Sequence, residues 1–148
     1  MNEIIIYCDG GCRGNQNANN IGAWGCVLSY NGHVKELSGT AKNTTNNKME
    51  LVAAIKSLQA LKKYDMPIKV YVDSAYVQNG INNWIYGWIK KGWVDAKKNP
   101  VKNRELWEEL FAERQKFSNI EFLKVKGHSD NAGNNRADEL CNIAMDNM

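Results

Sequence analysis

The sequence predicts an α/β fold: a five-stranded mixed sheet, formed by an antiparallel hairpin and parallel strands, with helices on both faces. Three observations lead to this fold class. Apolar runs of strand length occur near positions 4 and 68, a hairpin signal lies between them, and helical spacing of apolar residues recurs between and after the strands. A hairpin followed by alternating helices and strands makes the later strands parallel, joined by right-handed crossovers.

The strands are predicted from two kinds of pattern. Segments Ile4–Cys8 and Ile68–Val72 are almost unbroken apolar runs, which are typical of strands covered on both faces, so we expect both in the centre of the sheet. Segments Gly22–Tyr30 and His33–Ser38 are joined by the dipeptide Asn31-Gly32, which is favoured in two-residue hairpin turns. A last strand is predicted over Ile120–Val125.

The helices are predicted from apolar residues that recur every three or four positions. One extends from about Thr45 to Lys63 and precedes the strand at Ile68–Val72. Another extends from about Asn103 to Phe117, with Asn103 as its predicted N-cap. The final helix has a complete apolar stripe, formed by Ala137, Leu140, Cys141, Ala144 and Met145.

Composition indicates one soluble globular domain. The chain has 148 residues, of which 43% are hydrophobic and 24% are charged, and it contains no internal repeat or linker, so we predict a single domain over residues 1–148. The first apolar run is too short for a signal peptide or a membrane span. The four cysteines lack C-x-x-C spacing, and we expect them to be reduced in a cytoplasmic protein that binds no membrane.

Two of the predicted central strands end in an aspartate. Strand alternation puts Tyr7 and Asp9 on one side of the first strand, and Tyr71 and Asp73 on one side of the fourth. If these strands are parallel neighbours, both carboxylates lie at the carboxyl edge of the sheet, where open α/β sheets bind ligands. Each acid also has a structural interpretation, because Asp9 could end its strand before a glycine turn and Asp73 could cap the next helix.

Two helical acids are candidates for the same edge. Glu50, near the start of the first helix, reaches it only if helix packing permits, and could instead close a capping box with Asn47. Asp138 borders the apolar stripe of the last helix, and could instead pair with Arg136 or Arg104. Taken singly, each acid fits its structural role, whereas their joint arrangement points to a shared function.

Several ionised carboxylates at one place require compensation. Two of them within about 4 Å repel by about 4 kcal/mol at an effective dielectric constant of about 20. Protonation or a bound cation must relieve this repulsion. Oxygen-only ligation suits a hard cation, and a site with few protein ligands suits magnesium better than calcium. Two such ions could hold the attacking and leaving oxygens of a phosphodiester.

The motifs that carry these acids resemble a known family. They read, in order, IIIYCDGGCRGN, TTNNKMEL, VYVDSAYV and VKGHSDNAGNNRADEL. In order and spacing they resemble the four acidic motifs of type 1 ribonuclease H (the bacterial ribonuclease HI family), over roughly residues 3–145. The resemblance implies an endoribonuclease that hydrolyses the RNA strand of RNA–DNA hybrids by two-metal-ion catalysis, leaving 5′-phosphate and 3′-hydroxyl ends. We expect a monomer with no obligate protein partner.

The resemblance also implies roles for individual residues. Two magnesium ions, which manganese could replace, are expected on four acids, Asp9, Glu50, Asp73 and Asp138. His128 matches a loop histidine that moves a proton during activation or product release, although a loop histidine is more often merely solvated. Asn15, Gln16 and Asn46 are expected to meet the minor groove. Thr45 and Asn47 are expected on the DNA strand, where helix capping explains Thr45 equally well.

A basic, tryptophan-rich segment over about residues 83–100 resembles the protrusion with which bacterial members grip the DNA backbone. Its expected contacts are Trp84, Lys90, Lys91, Trp93, Lys97 and Lys98. Contacts of lysine with phosphate give salt-dependent affinity without reading sequence. Alternatively the lysines are only solvated and the tryptophans belong to the core, because Trp84, Ile85 and Trp88 also form a helical stripe. We expect both interpretations to be partly true.

The sequence departs from the family pattern at two places. The loop GNQNANNIGAWG lacks the usual proline-glycine run, and Ala75 replaces a longer polar side chain. Two other functions compete with the one implied above. They are a non-catalytic module that binds hybrid or double-stranded RNA, and another nuclease or strand-transfer enzyme of the same fold. The complete set of four acids argues against the binding module.

Overall fold

The computed structural model describes residues 3–14, 20–125 and 131–148. Its five-stranded sheet has the order β3-β2-β1-β4-β5. The strands are β1 (Ile4–Arg13), β2 (Ile21–Tyr30), β3 (His33–Lys42), β4 (Ile68–Val72) and β5 (Ile120–Lys124). The first three are antiparallel neighbours, and β4 is parallel to both β1 and β5. The predicted mixed sheet is therefore confirmed.

The predicted central strands lie in the middle of this sheet. Ile6 of β1 and Val70 of β4 are paired and have no exposed surface. β1 is longer than the predicted Ile4–Cys8, because its pairing with β2 continues as far as Arg13 opposite Ile21. The apolar pattern ends at Asp9, whereas backbone pairing depends on main-chain groups and needs no apolar side chains.

The hairpin between β2 and β3 has the predicted turn. Asn31 and Gly32 have φ values of 50° and 81°, as the two central residues of a type I′ turn require. β3 continues beyond the predicted end at Ser38 to Lys42, and it forms the edge of the sheet with most of its side chains exposed. Polar, exposed edge strands give a weak sequence signal, which explains the difference in length.

The structure contains five α-helices within the described residues. They are α1 (Asn46–Gln59), α2 (Ala75–Asn79), α3 (Ile85–Lys91), α4 (Arg104–Arg114) and α5 (Ala132–Asp146). α1 and α4 pack together on the face of the sheet that carries Ile6 and Cys8, in the main core. α5 covers the opposite face, where Tyr7 lies among its apolar side chains. Helices therefore cover both faces, as predicted, and none of those described is long and apolar enough to cross a membrane.

The helical run from α2 to α3 contains a π-helical turn, Gly80–Trp84. Two side chains hold this turn in place: Arg114 donates to the carbonyl of Ile81 at 2.6 Å, and Asn82 donates to that of Phe122 at 3.0 Å. Gly80 permits close contact with α4, because a Cβ there would lie 2.6 Å from Cζ2 of Trp107. The predicted helical stripe at Trp84 is thus part of a longer, irregular helix.

Three of the residues considered as helix caps do not cap a helix in the structure, and a fourth does. Asn103 precedes α4 with φ 61° but does not cap it, because its side chain donates to Tyr76 Oη at 3.1 Å. Thr45 caps α1 by accepting from the amide of Lys48 at 3.1 Å, as its capping interpretation proposed. Glu50 lies outside this first-turn cap, and α2 is capped by Ser74, which accepts from Val77 N, rather than by Asp73.

Candidate active site

Asp9 and Asp73 lie side by side at the carboxyl edge of the sheet. Cys8 of β1 is the parallel partner of Val72 of β4, so each aspartate is one residue beyond the same pair. The rings of Tyr7 and Tyr71 stack two residues earlier, with centroids 5.1 Å apart. Because side chains alternate along a strand, both aspartates lie on the face of these rings, which is the α5 face.

A glycine brings Glu50 to this edge. Gly10 follows Asp9, and a Cβ at Gly10 would lie only 2.6 Å from the backbone nitrogen of Glu50. The start of α1 therefore lies directly against β1, as only glycine permits at such a distance. The carboxyl groups of Asp9 and Glu50 are close enough to hydrogen-bond when one is protonated.

A second glycine brings Asp138 to the same place. Gly25 of β2 is the cross-strand partner of Asp9, and a Cβ there would lie 2.7 Å from the carbonyl oxygen of Ala137. The thiol of Cys141 also contacts the carbonyl oxygen of Asp9 at 3.4 Å. α5 therefore crosses β1 at the level of Asp9, and the side chains of Asp9 and Asp138 interact.

Asp138 is exposed rather than half-buried at the border of the apolar stripe. The arginines considered as its alternative partners pair with other acids. Arg136 binds Glu36 of β3 at 2.6 Å and Glu139 at 2.7 Å, and Arg104 lies 3.4 Å from Glu108. These ion pairs leave Asp138 in contact with the acidic set, and the pair with Glu36 ties the start of α5 to the sheet.

The electrostatics of the site link all four acids. The pKa of Asp9 is raised from 3.8 to about 7, mainly by burial and further by the nearby Asp138. Hydrogen bonds from Glu50 and Gly10 lower this pKa and offset part of the increase. Burial and the charges of Asp9 and Asp73 raise the pKa of Glu50 from 4.5 to about 10. Without a cation, the site therefore relieves its repulsion by keeping protons at neutral pH.

The donor set fits a divalent cation. Glu50 Oε1 is buried and has no hydrogen-bond partner, and a buried polar atom left in this state points to an ion or water that would satisfy it. Among residues 3–14, 20–125 and 131–148, no group of three or more His, Cys, Asp or Glu is drawn together closely enough to hold a metal as it stands.

A depression of about 670 Å³ lies beside the end of β1. It brings together three of the predicted substrate contacts, Thr45, Asn46 and Asn47, and also contains Asn20. Asn20 fixes the approach to α1, because its side chain donates to the carbonyl of Thr44 and accepts from its amide, both at 2.9 Å. Asn15, Gln16 and His128 lie outside the residues that the structure describes.

The tryptophans of the basic protrusion are partly packed and partly exposed. Trp88 lies between Trp107 and Trp93, with ring centroids 5.3 Å and 6.1 Å away, whereas Trp84 is 43% exposed. The guanidinium carbon of Arg104 lies over the ring of Trp93, 5.3 Å from the ring centroid. The four lysines of the predicted contact set are all exposed, as solvated or phosphate-binding lysines would be.

Sequence reasoning missed two glycines that shape the site. Gly10 and Gly25 decide where the helical acids lie. Gly25 lies inside a predicted strand, where a glycine marks close approach of another backbone. Gly10 lies beyond the predicted end of its strand, where it indicated only a turn.

The ribonuclease H family model matches residues 1–146. The chain belongs to the ribonuclease H family. This confirms the resemblance seen in the four acidic motifs, and it makes the chain a nuclease of the hydrolase class with ribonuclease H activity. Ribonucleases H are metal-dependent in general.

Known ribonucleases H resemble the chain over almost its whole length. Ribonuclease H of Francisella philomiragia subsp. philomiragia is 54% identical over 144 residues, covering 97% of this chain and 91% of the relative. LC9-RNase H1, described as a type 1 RNase H with the type 2 active-site motif, has a TM-score of 0.86 and 26% identity, covering 99% of this chain and 74% of that one. RNase H1 from Halobacterium salinarum NRC-1 has a TM-score of 0.72 and 26% identity, covering 99% of both chains.

Proposed function

We propose that this ribonuclease H cuts the RNA strand of RNA–DNA hybrids, with two magnesium ions held by Asp9, Glu50, Asp73 and Asp138. One observation carries the proposal: the four acids form one electrostatically linked set at the carboxyl edge of β1 and β4. The buried, unpaired Glu50 Oε1 adds support. Manganese, which accepts the same oxygen ligands, is an alternative ion.

The main chain orients one of these carboxylates, that of Asp9. The amide of Gly10 donates to Asp9 Oδ1 at 2.9 Å, which fixes one carboxylate orientation. Asp9 is only 8% exposed, so its side chain is largely shielded from bulk water. When bound, the ions would supply an activated water and charge stabilisation for the departing 3′ oxygen. His128 is proposed to move a proton in this reaction, which leaves 5′-phosphate and 3′-hydroxyl ends.

The hybrid is proposed to lie across the depression at the start of α1. Only the 2′-hydroxyl distinguishes RNA from DNA at one nucleotide, and it both donates and accepts hydrogen bonds. The side-chain amide of Asn46 offers both kinds of group, together with Asn15 and Gln16. Thr45 and Asn47 would meet the DNA strand. Thr45 can cap α1 while a phosphate binds at the same helix start, because the start of a helix offers several free amides.

The DNA strand is proposed to continue along the basic protrusion. Exposed Lys90 and Lys91 end α3, while Lys97 and Lys98 lie in the following loop, which Val94 and Pro100 close by a bridge. Trp84 and Trp93 would add contacts beside them. Lysine groups of this kind bind phosphate as point charges and do not read bases.

The whole chain is proposed to act as one catalytic domain, in the cytoplasm and as a monomer. All five strands described belong to a single sheet, which supports one domain over residues 1–148. The four cysteines are free thiols, which agrees with a reducing compartment. Gel filtration with light scattering would test the monomer directly.

A cleavage assay tests the proposed activity. The chain should cut an RNA–DNA hybrid with magnesium, stop cutting when a chelator is added, and leave duplex DNA and duplex RNA intact. Binding of the hybrid without cutting would instead identify a binding module, and cutting of duplex DNA would identify another nuclease of this fold.

A further inference from the structure

Two side-chain oxygens of the described residues are buried without a hydrogen-bond partner, Glu50 Oε1 and Asn134 Oδ1. Glu50 already belongs to the acidic set, but no step of the proposed reaction uses Asn134. Its side chain is buried, because the residue is only 3% exposed. A buried, unpaired amide oxygen lowers stability, so its presence in a native protein calls for an explanation.

Asn134 lies on α5, the helix that carries Asp138. It is one turn before Asp138, so both side chains lie on the same side of the helix. The preceding Gly133 lies against Tyr7, where an added Cβ would be 2.6 Å from Cγ of the ring. The Tyr7 ring is on the sheet face that carries Asp9. Asn134 therefore lies over this face of the sheet, one helical turn from Asp138.

The backbone of Asn134 is satisfied, unlike its side chain. Its amide donates to Oδ1 of Asn131, the N-cap of α5, at 2.9 Å. Helix capping therefore does not require the asparagine side chain at this position. The side-chain oxygen can only accept a hydrogen bond, and carboxylates that hold a cation in their ionised form cannot donate one. Among the described residues, no donor reaches Asn134 Oδ1.

We infer that Asn134 is a positioning residue, whose Oδ1 accepts a hydrogen bond from a water molecule coordinated to the divalent cation beside Asp138. The inference rests on the proposed function, because it needs a cation at the acidic set. A coordinated water is a strong donor, and groups that bind such waters orient the metal's ligands and tune its affinity. The unpaired oxygen is thus paired only when the ion is bound.

Two substitutions separate this role from a structural one. Asn134→Leu keeps the shape of the side chain and removes the acceptor, while Asn134→Asp keeps an oxygen at the same place. In calorimetric titration with magnesium alone, Asn134→Leu should weaken binding on the order of 10- to 100-fold, and Asn134→Asp should restore it. Asn135→Leu, at the exposed neighbouring position, is the matched control and should bind magnesium like the wild type.

Thermal unfolding in chelator gives a second readout. Because Asn134→Leu removes an unpaired buried amide, the metal-free melting temperature should stay unchanged or rise, whereas a structural asparagine would lower it. Unchanged magnesium affinity in the leucine variant, or no recovery with aspartate, would overturn the inference. If the leucine variant does not fold, Asn134→Ala provides the same comparison in a smaller side chain.

The same titration distinguishes this inference from the proposed function. If the wild type binds no magnesium, or if Asp9→Asn leaves its magnesium affinity unchanged, the metal site itself is wrong and the role of Asn134 fails with it. If Asp9→Asn abolishes binding while Asn134→Leu preserves it, the metal site stands and only the role of Asn134 is refuted.

Discussion

The carboxylates of the site are held in an environment that disfavours their charge. The pKa of Asp9 is raised from 3.8 to about 7, and that of Glu50 from 4.5 to about 10. The folded protein therefore binds more protons than the unfolded chain above about pH 4, so these groups lower stability as pH rises through their folded pKa values. The site costs stability when it is empty of cations at neutral pH.

Glu50→Gln should therefore stabilise the metal-free protein at neutral pH. The gain should reach a few °C, the scale of about 1 kcal/mol in a domain of this size. It should shrink as pH falls through 4.5, the ordinary pKa of glutamate, because below that value glutamate becomes protonated in the unfolded state as well. Melting temperatures in chelator across this pH range, for variant and wild type, provide the test. Because the variant and the wild type share every other titratable group, the difference between their melting temperatures removes the effects of those groups. One of them is Glu36, whose pKa is lowered by Arg136 and whose contribution to stability therefore changes with pH in the opposite direction. A variant less stable at neutral pH would contradict the account.

Asp9→Asn and Asp73→Asn should each abolish cutting while hybrid binding survives. The reason is that metal positioning is lost, whereas phosphate contacts on α1 and the protrusion are not. Cleavage rates and binding isotherms on the same hybrid would measure both properties. Full activity in either variant would refute the assignment of these acids to the metal site.

At the scale of secondary structure, two close approaches assemble the site. Gly10 lets α1 touch β1, and Gly25 lets α5 touch β2 opposite Asp9. The alternation of side chains predicted that Asp9 and Asp73 lie at one edge, on the condition that β1 and β4 are parallel neighbours, which they are. The placement of Glu50 and Asp138 could not be predicted in this way, because it depends on contacts between backbones far apart in sequence.

Gly25→Ala should displace α5 and with it Asp138. The added Cβ would lie 2.7 Å from the carbonyl oxygen of Ala137, and relieving such overpacking costs about 1–3 kcal/mol. We expect a lower melting temperature together with a weaker response to magnesium. Gly87→Ala is the matched control, because Gly87 lies in α3 with no atom within 4 Å of the new Cβ. Alanine there should raise helix stability by up to about 1 kcal/mol, and equal effects of the two changes would contradict the positional argument.

Other elements show where local patterns stop being informative. The turn at Asn31 and Gly32 was predictable because its backbone conformation selects these residues. The extra length of β1 and β3 was not predictable from local patterns, because backbone pairing continues through polar residues. Asn103 was predicted to cap α4, but Tyr76, which is distant in the chain, competes for its side chain. Local propensity is overruled where a tertiary partner is available.

For the molecule as a whole, binding should depend on salt through its exposed lysines. Replacing Lys90, Lys91, Lys97 and Lys98 with alanine should raise the Michaelis constant, and each lost phosphate contact should flatten the slope of log affinity against log salt by about 0.9. The double change at Lys90 and Lys91 has a matched control at Lys62 and Lys63, two exposed lysines beyond the far end of α1. Equal slopes for both double variants would place the phosphate contacts elsewhere.

The central claim, that four acids distant in the chain share divalent cations, is tested most directly by diffraction from crystals soaked in manganese. The account predicts two anomalous difference peaks among these acids. Each peak should lie within coordination distance of some of the carboxylates, and Asp9, Glu50, Asp73 and Asp138 should together supply the ligands of both ions. Crystals of Asp9→Asn should lose these peaks under the same soak. An absence of peaks between the wild-type carboxylates, or peaks only at other surface acids, would contradict the claim.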